Sequence, residues 1–291
     1  MEEIENEQYL NNKNNDLQLD DNNKKKKIRI IILILLLLLL IALTIVFIII
    51  ISKKDNDNNK DNNKSDPSDK KSSHLYIEPT SGIHSHTLIF MPGLTNIPED
   101  FAPVFTDYIP FNKKNTTKLV ILRSQLQDVT VLNGTKNYSW FDIYSFPINS
   151  PNTYNFEELK KSSNLLKEII EEEAGILGKN YEKIIIGGHS QGAMISLYTG
   201  YSFKNKLGGV ISWSGALPPI KRDDISNEKE DLNVFFAYGD IDNIVTPEYF
   251  TESIEEIKNF NGLNITIYPN HAHSVCHKEM EDTGIFLDNI M

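Results

Sequence analysis

Six short runs of apolar residues, rich in β-branched and aromatic side chains, recur along the chain after residue 75. Runs of this length and composition are typical of buried strands. They occupy residues 87–91, 119–122, 183–186, 210–213, 234–238 and 265–268. Helical patterns separate most of them, and strands that alternate with helices predict a mainly parallel, doubly wound sheet of the α/β class.

Three segments carry the helical patterns. Residues 156–173 place Leu159, Leu166 and Ile170 at helical spacing, with charged residues opposite. Residues 247–260 begin with a proline after Thr246, which is typical of a capped helix start. Residues 275–290 predict a last helix. The stretch of about 124–153 shows neither pattern and is expected to be a long strandless loop, of the kind that often serves as a binding loop or lid.

The most apolar part of the chain lies near its N-terminus. Residues 30–51 are uncharged and almost wholly isoleucine and leucine, with Thr44 the one polar side chain. At about 1.5 Å per residue, this run spans a hydrocarbon core of about 30 Å. A cleaved signal peptide is the alternative, but its apolar core is normally only about 7–15 residues long. The sequence therefore predicts a transmembrane anchor over residues 28–51.

Polar segments flank this anchor and complete the predicted domain organisation. Residues 1–27 and 52–74 are rich in Asn, Asp and Lys and are predicted to be disordered. Residues 75–291 form the predicted catalytic domain. Basic residues crowd the N-terminal flank, so the positive-inside rule predicts a cytosolic N-terminus and a catalytic domain on the opposite side. Basic residues also follow the anchor, so a cytosolic catalytic domain is the alternative, and the sequence leaves this choice open. Sequons that permit that side occur at Asn63, Asn115, Asn133, Asn137 and Asn264.

Charge and cysteine content exclude some classes of partner and of covalent cross-link. Residues 75–291 contain seventeen basic and twenty-eight acidic side chains, a net charge of −11. An acidic domain of this kind argues against a nucleic-acid partner. Cys276 is the only cysteine, so no intramolecular disulfide forms. No set of four ligands with zinc-site spacing is present, and no phosphate-binding loop, so we expect neither a metal nor a cofactor.

A serine motif carries the strongest chemical signal. The segment Gly188-His189-Ser190-Gln191-Gly192 follows one of the predicted strands and precedes a helical run. It fits G-x-S-x-G, the nucleophile elbow of the α/β-hydrolase fold. Glycines two residues either side of the serine relieve clashes with the neighbouring strand and helix. Ser190 is therefore the candidate nucleophile.

A serine nucleophile needs a general base, and the base needs an orienting carboxylate. In α/β-hydrolases these follow the serine in the order acid, then histidine. Either Asp240 or Asp242, after an apolar strand, suits the acid. For the base, His273 is favoured by its place in a loop after the last predicted strand, with His271 close behind. Spacing alone leaves both choices open.

Several ordered motifs resemble the acyl-protein thioesterase/carboxylesterase family of α/β-hydrolases, over residues of about 80–291. They are Gly188–Gly192, the segment Ser139-Trp140-Phe141-Asp142, the segment Ser214-Gly215-Ala216-Leu217-Pro218, the acid loop 239–247 and the pair His273-Ser274. The resemblance implies that Asp242 is the acid and His273 the base. It leaves Asp240 and His271 with structural roles.

The resemblance also implies an oxyanion hole from the backbone amides of Leu94 and Gln191. The family usually shows His-Gly-Leu-Gly-Asp around the first position, where this chain has Pro92-Gly93-Leu94-Thr95-Asn96. The expected substrates are S-acylated (palmitoylated) proteins. Alternatives are lysophospholipids or simple carboxylesters, or no turnover at all in a catalytically weak acyl-binding protein. Leu126 and Trp140, from the apolar stretch 124–153, are expected to line the acyl-chain site.

Overall fold

The computed structural model describes residues 74–291. The predicted N-terminal tail (1–27), the membrane anchor (28–51) and all but the last residue of the linker (52–74) lie outside the described residues. Within residues 74–291, no helix combines the length and the apolar character needed to cross a bilayer.

Seven strands of the described chain form one sheet, and two more form a separate hairpin. The strands are β1 (Leu75–Ile77), β2 (His86–Met91), β3 (Thr117–Ile121), β4 (Gln125–Val129), β5 (Thr135–Ser139), β6 (Ile184–His189), β7 (Gly209–Trp213), β8 (Val234–Gly239) and β9 (Leu263–Tyr268). The order in the large sheet is β1-β3-β2-β6-β7-β8-β9, and β1 alone runs antiparallel to its neighbour. The prediction of a mainly parallel sheet is confirmed.

Helices cover both faces of this sheet. They are α1 (Pro98–Pro103), α2 (Phe156–Ile176), α3 (Gln191–Ser202), α4 (Pro247–Ser253) and α5 (His277–Ile290). Buried side chains of α2, α3 and α4 join one apolar cluster, whereas those of α1 and α5 join a second cluster. The helix predicted over 247–260 is shorter than expected, because α4 gives way to a 3-10 turn at Glu255–Ile257. The sheet is therefore doubly wound, as predicted.

Successive residues of β2 belong alternately to the two apolar clusters, because the clusters lie on opposite faces of the sheet. Ile89 and Met91 belong to the cluster under α2 and α3, and Leu88 and Phe90 to the one under α1 and α5. This follows from the two-residue period of a strand with both faces buried. β3, the next strand along the chain after β2, lies on one side of β2 in the sheet. β6 lies on the other side of β2, and β7, β8 and β9 follow it in order. The carboxyl ends of β2 and β6 therefore meet at a topological switch point, where such sheets bind ligands.

The prediction that residues 124–153 lack strands is wrong. They contain the antiparallel hairpin of β4 and β5, in register from Gln125 opposite Ser139 to Val129 opposite Thr135. The turn ends in Asn133 and Gly134, at φ of 58° and 70°, a conformation that these two residue types adopt readily. Only Val129 and Ser139 of the two strands are buried, so these strands lack the apolar pattern of a buried strand.

Candidate active site

Ser190 lies at the sharp turn between β6 and α3. Its backbone is in a strained conformation, with φ of 55° and ψ of −118°. Its amide donates to the carbonyl of Trp213 on the neighbouring strand β7, at 2.9 Å. The carbonyl of Ser190 accepts the amide of Met194 at 3.0 Å and so starts the hydrogen-bond ladder of α3. A non-glycine residue with positive φ is held by its surroundings, here by a strand on one side and a helix on the other.

Close backbone contacts explain the two glycines of the motif. A Cβ atom on Gly188 would lie 2.2 Å from the carbonyl carbon of Gly192. A Cβ atom on Gly192 would lie 1.9 Å from the carbonyl oxygen of Met91 in β2. Both distances are far below van der Waals contact, and in both cases the opposing atom is backbone and cannot turn away. The turn therefore closes only with glycine at both positions.

Asp242 and His273 form a hydrogen-bonded pair at the ends of β8 and β9. The Oδ2 atom of Asp242 lies 2.7 Å from Nδ1 of His273. The other carboxylate oxygen accepts the amides of Ile244 at 2.8 Å and Val245 at 3.0 Å. Asp242 is buried, and its carboxylate is fixed in orientation by the three bonds. This leaves Nε2 as the ring nitrogen of His273 for proton transfer, as in a Ser-His-Asp triad.

Asp240 and His271 join the acid loop to the base loop. The carbonyl of His271 accepts the amide of Ile241 at 3.1 Å, and the His271 amide approaches the Asp240 carboxylate at 3.4 Å. Nε2 of His271 lies 2.7 Å from the carbonyl oxygen of Ser274. These contacts agree with the structural roles that the resemblance implies for both residues.

The loop after β2 packs directly against the nucleophile turn. A Cβ atom on Gly93 would lie 3.2 Å from the Cβ atom of Ser190. On one side of Leu94, the carbonyl of Pro92 accepts the indole Nε1–H of Trp140 at 2.8 Å. On the other side, the amide of Thr95 donates to the carbonyl of Tyr138 at 2.8 Å. The segment that carries Leu94 is thus anchored at both ends beside Ser190.

The side chain of Gln191 has a role that the sequence did not indicate. It is fully buried, and its Nε2 donates to the carbonyl of Phe141 at 2.7 Å and to Oγ of Ser139 at 3.1 Å. Its Oε1 accepts the amide of Trp140 at 3.2 Å. Gln191 therefore ties the first turn of α3 to the segment that also holds the loop of Leu94. Its backbone amide is the first of the helix, and such amides have no partner within the helix.

His189, directly before Ser190, is partly exposed, but both of its ring nitrogens are buried and have no hydrogen-bond partner among residues 74–291. Its ring packs between the rings of Phe101 and His273, with centroid distances of 5.9 and 5.1 Å. Burial of the ring nitrogens and, to a smaller extent, the nearby His273 ring together lower the pKa of His189 to about 3. The contact also brings the His273 ring to the residue next to the nucleophile.

The two residues predicted to bind the acyl chain line one cavity of about 770 Å³. Leu126 is 58 % exposed there, whereas Trp140 is almost completely buried. Ser190 and His273 are not among the residues that line this cavity. Trp140 instead supports the loop of Leu94 through its indole nitrogen. An acyl-binding role for Leu126 and Trp140 stays a prediction.

Comparison with known proteins agrees with this fold and identifies the family. A family model described as Phospholipase/Carboxylesterase matches residues 72–291. Acyl-protein thioesterase 1 of Mycosarcoma maydis is 30% identical over 234 residues, which are 75% of this chain and 96% of the relative. Acyl-protein thioesterase 1 homolog 1 of Dictyostelium discoideum is 32% identical over 202 residues, which are 68% of this chain and 88% of the relative.

Solved structures show the same fold. Arabidopsis thaliana SOBER1 superimposes with a TM-score of 0.64 at 21% identity and covers 70% of this chain and 98% of its own. Zea mays acyl-protein thioesterase 2 gives a TM-score of 0.60 at 19% identity, with 74% and 97% covered. The family resemblance predicted from the motifs is confirmed: the chain belongs to the phospholipase/carboxylesterase family of α/β-hydrolases and is a serine hydrolase.

Proposed function

We propose that this protein hydrolyses acyl thioesters of S-acylated proteins through a Ser190-His273-Asp242 triad. The observation that carries the proposal is the buried Asp242–His273 hydrogen bond of 2.7 Å, whose imidazole packs against the residue before a strained Ser190. Three strands of one sheet, β6, β8 and β9, lead into the nucleophile and its two partners.

In the first half-reaction, Oγ of Ser190 attacks the acyl carbonyl carbon while Nε2 of His273 takes the hydroxyl proton. The carbonyl oxygen becomes an oxyanion, which accepts hydrogen bonds from the backbone amides of Leu94 and Gln191. His273 then gives the proton to the leaving sulfur as the carbon–sulfur bond breaks. Asp242 keeps the imidazole oriented and stabilises its protonated form.

In the second half-reaction, a water molecule attacks the acyl-serine ester and gives a proton to His273. The tetrahedral intermediate collapses, His273 gives its proton to Oγ of Ser190, and the fatty acid leaves and loses its remaining proton to solvent as the carboxylate. An alcohol leaving group follows the same steps but is a poorer leaving group than a thiol. Lysophospholipids and simple carboxylesters are therefore the alternative substrates within the same mechanism.

Labelling with a serine-directed fluorophosphonate probe tests the nucleophile. The wild-type chain is expected to be labelled, and Ser190→Ala is expected to abolish labelling. Ser214→Ala is the matched control, because Ser214 is a buried serine at the end of β7 that also has a positive φ, 53°. Label that is absent from the wild type would favour a non-catalytic acyl-binding protein. Label that persists in Ser190→Ala would refute the triad.

Steady-state kinetics then separate the substrate classes. We expect kcat/KM to be highest for a palmitoyl-cysteine peptide, compared with the same peptide acylated on serine and with a lysophosphatidylcholine. Asp242→Asn should lower kcat by about four orders of magnitude, the size seen when a triad aspartate is replaced in other serine hydrolases. A clear preference for the lysolipid would move the assignment to a lysophospholipase.

We also propose that residues 28–51 anchor the enzyme in a membrane, with the N-terminus in the cytosol and the catalytic domain on the other side. The basic residues before the anchor support this orientation. The sequon residues Asn115, Asn133 and Asn264 have exposed side chains, as glycosylation would require. Protease protection of the C-terminus in intact microsomes, together with a glycosidase mobility shift, is the expected result. Digestion without any shift would place the catalytic domain in the cytosol.

A further inference from the structure

Three side chains of different chemistry converge on the loop that carries the catalytic histidine. They are His271, before His273, and Cys276 and Glu279, after it at the start of α5. One ring nitrogen of His271, the sulfur of Cys276 and a carboxylate oxygen of Glu279 lie within 4.8 Å of one another. The mechanism uses none of the three.

The start of α5 brings the cysteine and the glutamate together. Cys276 is the N-cap residue, and its sulfur accepts the amide of Glu279 at 3.4 Å. The amide of Cys276 in turn donates to Oε2 of Glu279 at 3.2 Å. This reciprocal capping box holds the sulfur and the carboxylate on one helical turn.

The second oxygen of Glu279 gives an independent indication of a ligand. Glu279 is 1% exposed, and within residues 74–291 its Oε1 atom has no hydrogen-bond partner. A buried carboxylate oxygen without a partner is unfavourable unless a proton or a cation compensates it. Because the cysteine and histidine lie beside this carboxylate, a metal ion is the ligand that matches all three.

We propose that His271, Cys276 and Glu279 form a binding site for Zn²⁺, and that its occupancy lowers the turnover of Ser190. Imidazole nitrogen, thiolate sulfur and carboxylate oxygen are the three ligand types that zinc takes in proteins. Ligand atoms of a tetrahedral zinc site lie roughly 3.3–3.8 Å apart. Side-chain movements of about 1 Å would therefore bring these three ligand atoms to the distances of a zinc site. The fourth position is left for water.

The loop geometry explains the effect on turnover. Nε2 of His271 now contacts the carbonyl of Ser274, the residue next to His273. A metal that draws His271 toward Cys276 pulls on both ends of the short segment that carries His273. The 2.7 Å contact between His273 and Asp242 then lengthens, and the base loses its orientation. This consequence rests on the proposed function, whereas metal binding does not.

Titration of the full-length, metal-free chain in a non-ionic detergent with Co²⁺ tests binding. Because Cys276 is the only cysteine, any thiolate-to-cobalt charge-transfer absorption reports this site. We expect the wild type to develop that band and Cys276→Ser, which keeps a good N-cap residue, to lack it. His271→Ala and Glu279→Gln should each weaken cobalt binding at least 10-fold. His277→Ala is the matched control, because His277 is exposed on the same helix and should leave binding unchanged.

Zinc competition links binding to activity. Zn²⁺ should displace the cobalt band and inhibit ester hydrolysis with the same midpoint, and Cys276→Ser should resist inhibition. A missing band in the wild type would refute the site, as would unchanged cobalt affinity in His271→Ala, whose half-exposed loop position tolerates substitution. Equal zinc inhibition of Cys276→Ser and the wild type would place the inhibitory metal elsewhere. Displacement without inhibition would refute the effect on turnover.

Discussion

Replacement of His189 by phenylalanine should remove a large part of the acid sensitivity of the fold. The His189 ring packs between Phe101 and His273, and its two nitrogens are buried without a hydrogen-bond partner among residues 74–291. Burial lowers its pKa in the folded protein to about 3. In the unfolded chain the pKa returns to about 6.5. The folded state therefore keeps His189 neutral at pH values where the unfolded chain binds a proton.

The sign of the effect follows from this difference in bound protons. Between pH 6.5 and pH 3 the unfolded state binds more protons, so the free energy of unfolding falls as the pH falls. With an unfolded pKa of about 6.5, the loss between pH 7 and pH 5 is about 2 kcal/mol. At pH 5 the folded state is still neutral at His189, so the loss depends only on the pKa of the unfolded chain. Any packing cost of the larger phenylalanine is the same at both pH values and cancels.

Urea unfolding followed by tryptophan fluorescence measures this effect in the detergent-solubilised chain. The free energy of unfolding of His189→Phe minus that of the wild type should be about 2 kcal/mol larger at pH 5 than at pH 7. His277→Gln serves as the control, because water reaches its ring in the folded protein and its replacement should leave the pH dependence unchanged. An equal difference between variant and wild type at the two pH values would show that His189 is not buried as a neutral ring, and the reasoning would fail.

Three further substitutions test the loops around the nucleophile. Gly192→Ala should destabilise the fold by more than about 3 kcal/mol and lower its Tm, because the new Cβ atom would meet the carbonyl oxygen of Met91 at 1.9 Å. Trp140→Phe keeps an aromatic ring but loses the indole hydrogen bond to the carbonyl of Pro92. For a short ester, kcat should therefore fall about 10-fold while KM stays unchanged. A kcat equal to that of the wild type would refute the role of Trp140 in supporting the loop of Leu94. Thr95→Gly should stabilise the fold by up to about 1 kcal/mol in urea unfolding, because threonine is strained at φ of 69°. Asn133→Gly, at φ of 58°, is its control and should change stability by only a few tenths of a kcal/mol.

The sheet was predictable from sequence wherever a strand is buried on both faces. All six predicted strands are present. Five of them, β2, β3, β6, β7 and β8, lie inside the sheet, where a continuous apolar run fits because both faces are covered. The sixth, β9, is an edge strand with exposed residues, and its β-branched side chains were the signal that predicted it. β1 was missed because it is an edge strand of three residues, too short to show a pattern. The hairpin of β4 and β5 was missed because its side chains face solvent. The adjacent Asn133 and Gly134 were the signal that could have found it.

The sequence motifs indicate the three candidate triad residues but not the contacts that support them. Ser190, Asp242 and His273 stand in motifs whose order along the chain reflects the order of strands in the fold. The bonds of the Gln191 side chain to Ser139 and Phe141 span about fifty residues of sequence, and no local pattern encodes such a contact. The motif likewise gives no information about His189, which occupies one of its variable positions. Its environment depends on Phe101 and His273, which approach only in the folded chain.

Hydrogen bonding explains why the loop of Leu94 departs from the usual family sequence while the segment that supports it does not. Every bond described from the loop to that segment uses main-chain atoms of the loop, the carbonyl of Pro92 and the amide of Thr95. Different side chains can therefore occupy the loop without loss of its position. The supporting segment contributes one side chain to these two bonds, the indole of Trp140, and one main-chain carbonyl, that of Tyr138. Within the segment, the hydroxyl of Ser139 donates to the carbonyl of Phe141, and the carboxylate of Asp142 accepts from Thr130. The altered loop is thus compatible with an intact oxyanion hole, because its placement depends on its main-chain atoms and on the Trp140 indole.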